Sequence, residues 1–318
     1  MTTFYMLVGL PGSGKSSLAN KILVEAEKNG RDVVWVSSDN IRKDFYGSEE
    51  IQGDSKIVFE EMYKRTKDAL KNGHDVIYDA CNNNRKKRKA LLNKLCTERD
   101  LRCLDVEKIC LICATPYEIC VQRDRQRKRT VEESVIKDKF YLNWNTPHYF
   151  EGWDKIDIHF AENSKGIYGS PNGFVQKYMD YNQDNLHHLE TLGEHLTQTM
   201  EYLTKNGKCN EEDNLAIAGL LHDCGKPFTK AFSDRNGNST EIAHYYQHGC
   251  AGAYDAMFFE YPNKSTDDIL EISLLINLHM EPMSWEAHTG EKREKEWGTQ
   301  IYEAVMMLHE ADHTARRF

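Results

Sequence analysis

Phe4-Tyr5-Met6-Leu7-Val8-Gly9-Leu10-Pro11-Gly12-Ser13-Gly14-Lys15-Ser16 opens the chain with a short apolar run, a glycine-rich turn and a lysine followed by a hydroxyl. Its second part, Gly9 to Ser16, fits G-x-x-x-x-G-K-[ST]. The setting fits as well, because a β-rich run leads into the glycines and a helical stretch begins near Lys15. Backbone N–H groups from Gly12 through Ser13, Gly14 and Lys15 to Ser16 would surround the β-phosphate of ATP or another nucleoside triphosphate. The helix N-terminus adds a favourable field, and Ser17 falls within the same nucleotide contact. Lys15 would bridge the β- and γ-phosphates and Ser16 would hold Mg²⁺.

Outward from this loop, β-rich runs alternate with amphipathic helical stretches: Phe4 to Val8, Val33 to Ser37, Val76 to Asp79, Val106 to Ile112 and Ile156 to Phe160. That alternation predicts an α/β domain with a parallel five-stranded sheet over residues 1–162. Asn163-Ser164-Lys165-Gly166 and Gly169-Ser170-Pro171-Asn172-Gly173 are turn formers without periodicity, read as a linker over 163–180. Beyond it, apolar residues recur at i, i+3, i+4 and i+7, which predicts an all-α domain over 181–318.

The length of 318 residues suits two domains. No apolar run approaches the roughly 18 residues that spanning a bilayer needs. Phe4 to Val8 is too short for a signal peptide, so no membrane and a cytoplasmic location are expected. Nine cysteines, an odd count, read as reduced thiols, and Cys110 and Cys113 as core thiols that strand alternation points to opposite faces. Residues 1–162 hold 28 Lys and Arg against 26 Asp and Glu, leaving 13 against 24 beyond, a net +2 followed by −11. Local basic patches in the first half, and bound metal in the second, would attract a polyanion despite the overall −9.

Ser37-Ser38-Asp39-Asn40-Ile41-Arg42 follows the second strand, at the carboxyl edge where such sheets bind ligands. Asp39 there is either a base for an attacking hydroxyl or a helix N-cap, and Arg42 would grip a phosphate bidentately. Asp79 ends the third strand, placed either near Mg²⁺ or to anchor Arg42. The basic run Arg85 to Lys89 reads as a solvated helix face or a polyanion contact. Arg123, Arg125, Arg127, Lys128 and Arg129 look like a segment that closes over nucleotide, with one arginine stabilising the transferring phosphate.

Through GLPGSGKS, SSDNIR, YDACNNNRKKR and QRDRQR, residues 1 to about 162 resemble the phage-type polynucleotide 5′-kinases. The resemblance implies Asp39 as general base for a nucleic-acid 5′-hydroxyl, Arg42 on the acceptor phosphate, Asp79 supporting Arg42, and Asn82 at the acceptor. Arg127 matches the lid arginine. Cys81 departs from the pattern, since relatives usually place Thr before the Asn.

Ten of thirteen histidines lie at or after position 187. His279 continues the stripe Ile272, Leu275, Ile276, and Asp312 continues Ile301, Val305, Leu308, so polar groups occupy core positions. Buried imidazoles and carboxylates are costly unless paired or metal-bound. With His195, His222-Asp223 and His248, the order H…HD…H…H…D over residues 181–318 resembles the HD phosphohydrolase superfamily. By that resemblance His195, His222, Asp223 and Asp312 hold one metal, and His248 and His279 a second that shares Asp223. Mixed imidazole and carboxylate ligands suit Mn²⁺, Fe, Co²⁺, Ni²⁺ or Zn²⁺. Lys226 is a candidate to hold the leaving phosphate, and His187, His188 and His244 are weaker candidates for substrate contact.

A kinase and a phosphohydrolase in one chain point to an end-healing enzyme that adds a 5′-phosphate and clears a 2′-, 3′- or 2′,3′-cyclic phosphate. RNA is favoured over DNA, and a ligase would act downstream. The alternatives are a small-molecule or nucleoside kinase fused to a nucleotide phosphohydrolase, and a nucleotide-switched module without catalysis.

Overall fold

The computed structural model describes residues 1–97, 105–127, 129–185 and 189–315, and the chain divides into two compact units. The first comprises Met1–Phe140 and Pro147–Glu162, the second Tyr141–Thr146 and Asn163–Phe318.

In the first unit β1 (Thr2–Val8), α1 (Lys15–Lys28), β2 (Val33–Ser37), α2 (Ser38–Tyr46), α3 (Ser55–Lys71), β3 (Asp75–Asp79), α4 (Arg85–Thr97), β4 (Val106–Ala114), α5 (Tyr117–Arg125), the short α6 (Glu133–Val135) and β5 (Lys155–Phe160) follow in order. All five strands run parallel in the order β2-β3-β1-β4-β5. They are the five expected, longer by one to two residues at some ends. The inner strands β3 and β1 are buried almost throughout, as continuous apolar runs require when helices cover both sheet faces. Alternation sends Leu7, Ile77, Ile109 and Leu111 to one face, where Ala19, Leu18 and Ile22 of α1 seal them. Leu7 pairs with Asp79, and Ser37 with Asp79, so the loops after β1, β2 and β3 emerge together. The connection leaving β1 runs to one side of the sheet and that leaving β4 to the other, which opens a ligand crevice at their carboxyl ends.

The second unit is helical: α7 (Pro171–Lys177), α8 (Leu192–Lys205), α9 (Asn214–Leu221), α10 (Lys226–Thr229), α11 (His248–Ala256), α12 (Thr266–Leu278), α13 (Thr289–Trp297) and α14 (Thr299–Ala315). Helix α8 begins in a capping box, with Thr191 accepting from the Glu194 N–H and Glu194 accepting from the Thr191 N–H. Helix α12 begins the same way, with Ser265 and Asp268. The helices α8, α9, α12 and α14 pack on one another and α11 packs on α12.

Three features depart from the expectation. A two-stranded antiparallel hairpin, β6 (Lys230–Ser233) and β7 (Ser239–Tyr245), joins the helical unit. The stretch expected to be a linker is folded into that unit. Gly166 and Gly169 do turn the chain with φ of 76° and 71°, but Tyr168 packs edge-on to Phe258, and Val175 of α7 is buried with Leu192, Leu196 and Leu220. The segment Tyr141–Thr146 also belongs to the second unit. There the Tyr141 hydroxyl donates to Asp255 at 2.7 Å, Trp144 meets Tyr254 edge-on, and the Thr146 and Ser273 hydroxyls lie 2.7 Å apart. Among the described residues no helix is long and apolar enough to cross a membrane.

Candidate active sites

In the first unit the glycine loop spans the gap from β1 to α1. Gly12 adopts φ 79°, and a Cβ there would sit 2.2 Å from the Cys120 carbonyl oxygen, so only glycine lets the loop lie against α5. Gly14, with φ 93°, turns its backbone toward open space, and no atom lies within 4 Å of a Cβ built there. Thr115 braces the loop from below by donating to the Ser13 carbonyl at 3.0 Å. Lys15 folds back onto the Gly9 and Leu10 carbonyls at 3.0 and 2.7 Å. A γ-phosphate would offer it a charged partner in place of these neutral ones.

Asp79 stands beside the loop, its Oδ2 3.5 Å from Ser16 Oγ and 3.2 Å from Trp35 Nε1. Burial lifts its carboxyl above the ordinary range, against the pull of Lys15. It therefore faces the position where Ser16 would hold Mg²⁺. The expected support of Arg42 by Asp79 is replaced by other contacts, because α2 turns Arg42 toward Asp39 at 3.1 Å and the Gln52 carbonyl at 3.3 Å. Asn82, at φ 51°, donates to the Leu7 and Ala80 carbonyls at 2.7 and 3.2 Å and fastens the β3 end to β1. Its contacts are with the backbone of the fold.

The basic segment supplies a second partner for Asp39. Arg127 reaches only as far as Asp124, at 3.7 Å, with about half its side chain exposed. Arg129 instead pairs with Asp39 at 2.7 Å and is largely covered. Asp39 thus lies between two guanidinium groups. It does not cap α2, since Ser37 accepts the Asp39 N–H in that role. Lys128 lies outside the described residues.

In the second unit His195 comes from the first turn of α8, and His222 and Asp223 from the end of α9. His248 opens α11, His279 follows α12, and Asp312 lies on α14. All six are almost wholly buried. Gly225 makes this convergence possible: a Cβ there would meet the His248 carbonyl at 2.2 Å and the Gly252 N at 2.6 Å, so bare backbone lets α11 approach the HD turn.

The histidines are oriented from behind. His222 Nδ1 lies 2.8 Å from the Gly219 carbonyl, His248 Nδ1 2.8 Å from that of Tyr245, and His279 Nδ1 2.7 Å from that of Ile276. A carbonyl only accepts, so each Nδ1 carries a proton and each Nε2 turns inward. These Nε2 atoms converge: His195 on His222 at 3.2 Å, His248 on His279 at 3.2 Å. Asp223 stands between the pairs, with Oδ2 3.3 Å from His222 Nε2 and Oδ1 3.0 Å from His248 Nε2. Asp312 Oδ1 is 3.1 Å from His195 Nε2. The donors form two triads, His195-His222-Asp312 and Asp223-His248-His279, each with its ligand atoms within 4.8 Å of one another. Imidazole nitrogens and carboxylate oxygens converging in a buried pocket are the donor types that hold divalent metal, so the set fits one or two such ions.

Burial opposes charge on His195, but bonds with Asp223, Asp312 and Glu190 outweigh it and raise the imidazole to about 10. His279 goes the other way, to about 3, through burial and the nearby His248 and His222. Burial opposes the charge on Asp223, yet Lys226 and His222 hold it well below the carboxylate range.

Some neighbours carried no sequence signal. Lys226 Nζ sits between Asp223 Oδ2 at 2.6 Å and Gln183 Oε1 at 2.7 Å, and Glu190 lies 3.2 Å from His195 Nδ1. Gln183 and Glu190 are single polar residues in irregular chain, with no periodicity to mark them. His187 and His188 lie outside the described residues.

A phosphate loop on a parallel sheet and a buried His/Asp cluster among helices define a chain that joins a P-loop domain of the kinase type to an HD domain. Family models agree with each unit in turn: that of the AAA domain matches residues 4–140, and that of the HD domain residues 186–317. No curated protein matches the chain. Among solved structures, a fungal RNA kinase is similar at 19% identity and a TM-score of 0.37, over 49% of this chain. This chain spans 38% of the length of that one. A gluconokinase from Sinorhizobium meliloti 1021 is similar at 16% identity and a TM-score of 0.34, over 51% of this chain and 83% of that one.

Proposed function

We propose that the protein heals broken nucleic-acid ends, RNA in the first instance, by phosphorylating a 5′-hydroxyl in the first unit and removing a 2′-, 3′- or 2′,3′-cyclic phosphate in the second. The observation that carries this reading is that each unit holds a complete phosphate-handling constellation, one suited to adding a phosphoryl group and the other to removing one.

In the kinase unit the loop N–H groups and Lys15 would hold the triphosphate, and Ser16 with Asp79 would hold Mg²⁺. Asp39 takes the proton of the attacking 5′-hydroxyl. Arg42 and Arg129, already on the Asp39 carboxylate, are placed to grip the phosphate on the 3′ side of that nucleotide. Two guanidinium groups at the acceptor favour a nucleotide over an uncharged small alcohol.

In the HD unit His195, His222 and Asp312 would hold one metal, and Asp223, His248 and His279 would hold a second. A metal held there would lower the pKa of water toward about 7 and neutralise phosphoryl oxygens. Lys226 holds the phosphate beside Asp223, and Nδ1-to-carbonyl bonds keep the imidazoles aimed. The products, a 5′-phosphate and a 3′-hydroxyl, are the ends that a ligase joins.

The test is a 5′-hydroxyl, 3′-phosphate RNA oligonucleotide incubated with ATP, Mg²⁺ and Mn²⁺, with both ends scored. Lys15→Ala should abolish 5′ transfer and leave 3′ removal intact, and Asp223→Asn should do the reverse. A wild-type protein that transfers no phosphate to the 5′-hydroxyl sinks the reading.

A further inference from the structure

From the HD centre a row of alternating cations and aromatic rings leads outward along the hairpin. Lys226 Nζ, 2.6 Å from Asp223, lies 5.4 Å from the Tyr245 ring centroid. Tyr245 pairs across the hairpin with Lys230, whose Nζ stands 4.6 Å from the Tyr181 ring and 5.8 Å from that of Phe232. The row continues through Tyr178, 5.6 Å from Tyr181, to Lys177 over the Tyr178 ring at 5.1 Å.

Two properties set this row apart from ordinary core packing. Phe232 exposes 48% of its surface on a hairpin that buries little else, and Tyr245, Tyr181 and Tyr178 are only half-buried. The hairpin is also held stiff: the Asp234 carboxylate accepts from the Asn236 and Asn238 N–H groups, both at 2.8 Å, and Ala243 N–H donates to the Asp184 carbonyl at 2.7 Å. An exposed ring on a rigid support loses little entropy when a planar ligand stacks on it.

The geometry points to this row as the track along which a single-stranded nucleic acid enters the HD site, bases stacking on Phe232 and Tyr181 and backbone phosphates meeting Lys230 and Lys177. The inference rests on the phosphohydrolase reading above and names its substrate class, a polymer end rather than a mononucleotide. Aromatic faces with interleaved lysines are the chemistry that binds such strands without sequence preference. The net −11 of residues beyond 162 repels a polyanion from most of that unit, so a strand would bind only where lysines stand together, as Lys177, Lys226 and Lys230 do along this row. Lys230 already holds Asp184 at 2.6 Å, so an incoming phosphate displaces a carboxylate and binds more weakly in salt.

The full chain, loaded with Mn²⁺, is assayed on 3′-phosphorylated single strands, ribo and deoxyribo, and on p-nitrophenyl phosphate. Phe232→Ala, an exposed change, should raise the oligonucleotide KM by about fivefold or more and leave the small ester unchanged. The ribo and deoxyribo arms tell which sugar the track prefers. An unaltered oligonucleotide KM, or equal losses on both substrates, overturns the track. A second measurement stands apart from turnover: a 5′-phosphorylated strand with a thiolated base near its 3′ end, irradiated without ATP, should crosslink to peptides bearing Tyr181 or Phe232. Crosslinks confined to the kinase unit, or absent, overturn it equally. If the wild type hydrolyses neither substrate, the phosphohydrolase reading fails while the crosslinks still decide the track.

Discussion

Asp39 shows at the level of one residue what chain spacing conceals. Its neighbours in space are Arg42, one helical turn away, and Arg129, ninety positions on. The basic segment contains several arginines at alternate positions, and irregular backbone does not tell from spacing which of them turns inward. Arg129→Ala should raise the KM for a 5′-hydroxyl oligonucleotide about tenfold, as losing a hydrogen bond to a charged group does, while the KM for ATP holds steady. Steady-state kinetics with each substrate varied would show it, and an equal rise for ATP would place Arg129 on the nucleotide instead. A second prediction concerns His195. Raised to about 10, it is protonated in the metal-free protein at neutral pH. A base whose folded pKa lies above its unfolded 6.5 stabilises fully below pH 6.5, and that stability fades as pH climbs through about 10. Metal must displace that proton, so Mn²⁺ binding should release at least one proton at pH 7 and tighten with rising pH. Calorimetry in buffers of different ionisation enthalpy counts it, and a buffer-independent heat would refute it.

At the level of elements, the strands and the phosphate loop were legible because local pattern and fold agree. Val33 to Ser37 and Val76 to Asp79 are β-branched runs that no helix would tolerate as well, and Gly12 and Gly14 stand where positive φ is needed. His279 and Asp312 were conspicuous for the opposite reason, being polar on apolar stripes. The hairpin escaped notice because β6 has four residues and β7, Ser-Thr-Glu-Ile-Ala-His-Tyr, places one small buried residue, Ala243, among polar ones. Gly225 is a lone glycine two residues after Asp223, and nothing in its spacing marks what it does. Its role is steric, so Gly225→Ala should push α11 away from Asp223 and weaken metal affinity about 10- to 100-fold, the range found when metal ligands lose their outer support. Equilibrium dialysis would measure this, with circular dichroism confirming retained helix. Unchanged affinity would mean α11 shifts without carrying His248.

For the whole molecule, the chain passes between the two units three times, since Tyr141–Thr146 belongs to the second unit and Pro147–Glu162 returns to the first. No local signal marks such a segment, because Trp144 and Tyr141 are apolar residues that fit either core equally well on composition. A fragment of residues 163–318 would lack Trp144, which is fully buried, and would uncover Tyr254 and Asp255. It should melt below the second transition of the full chain, and a fragment beginning at 141 should recover part of the loss. Equal melting temperatures would show that the segment contributes nothing to stability.

That same segment sets an order of events during synthesis. Thr146 meets Ser273, a partner 127 residues later in the chain. At a typical 5–20 residues per second, Thr146 is added to the chain roughly 6 to 25 s before Ser273. In that interval Trp144 has no native cover, while the parallel sheet can close as soon as β5 emerges. The nascent chain therefore carries a tryptophan without its native ring partner until Tyr254 of α11 has been made.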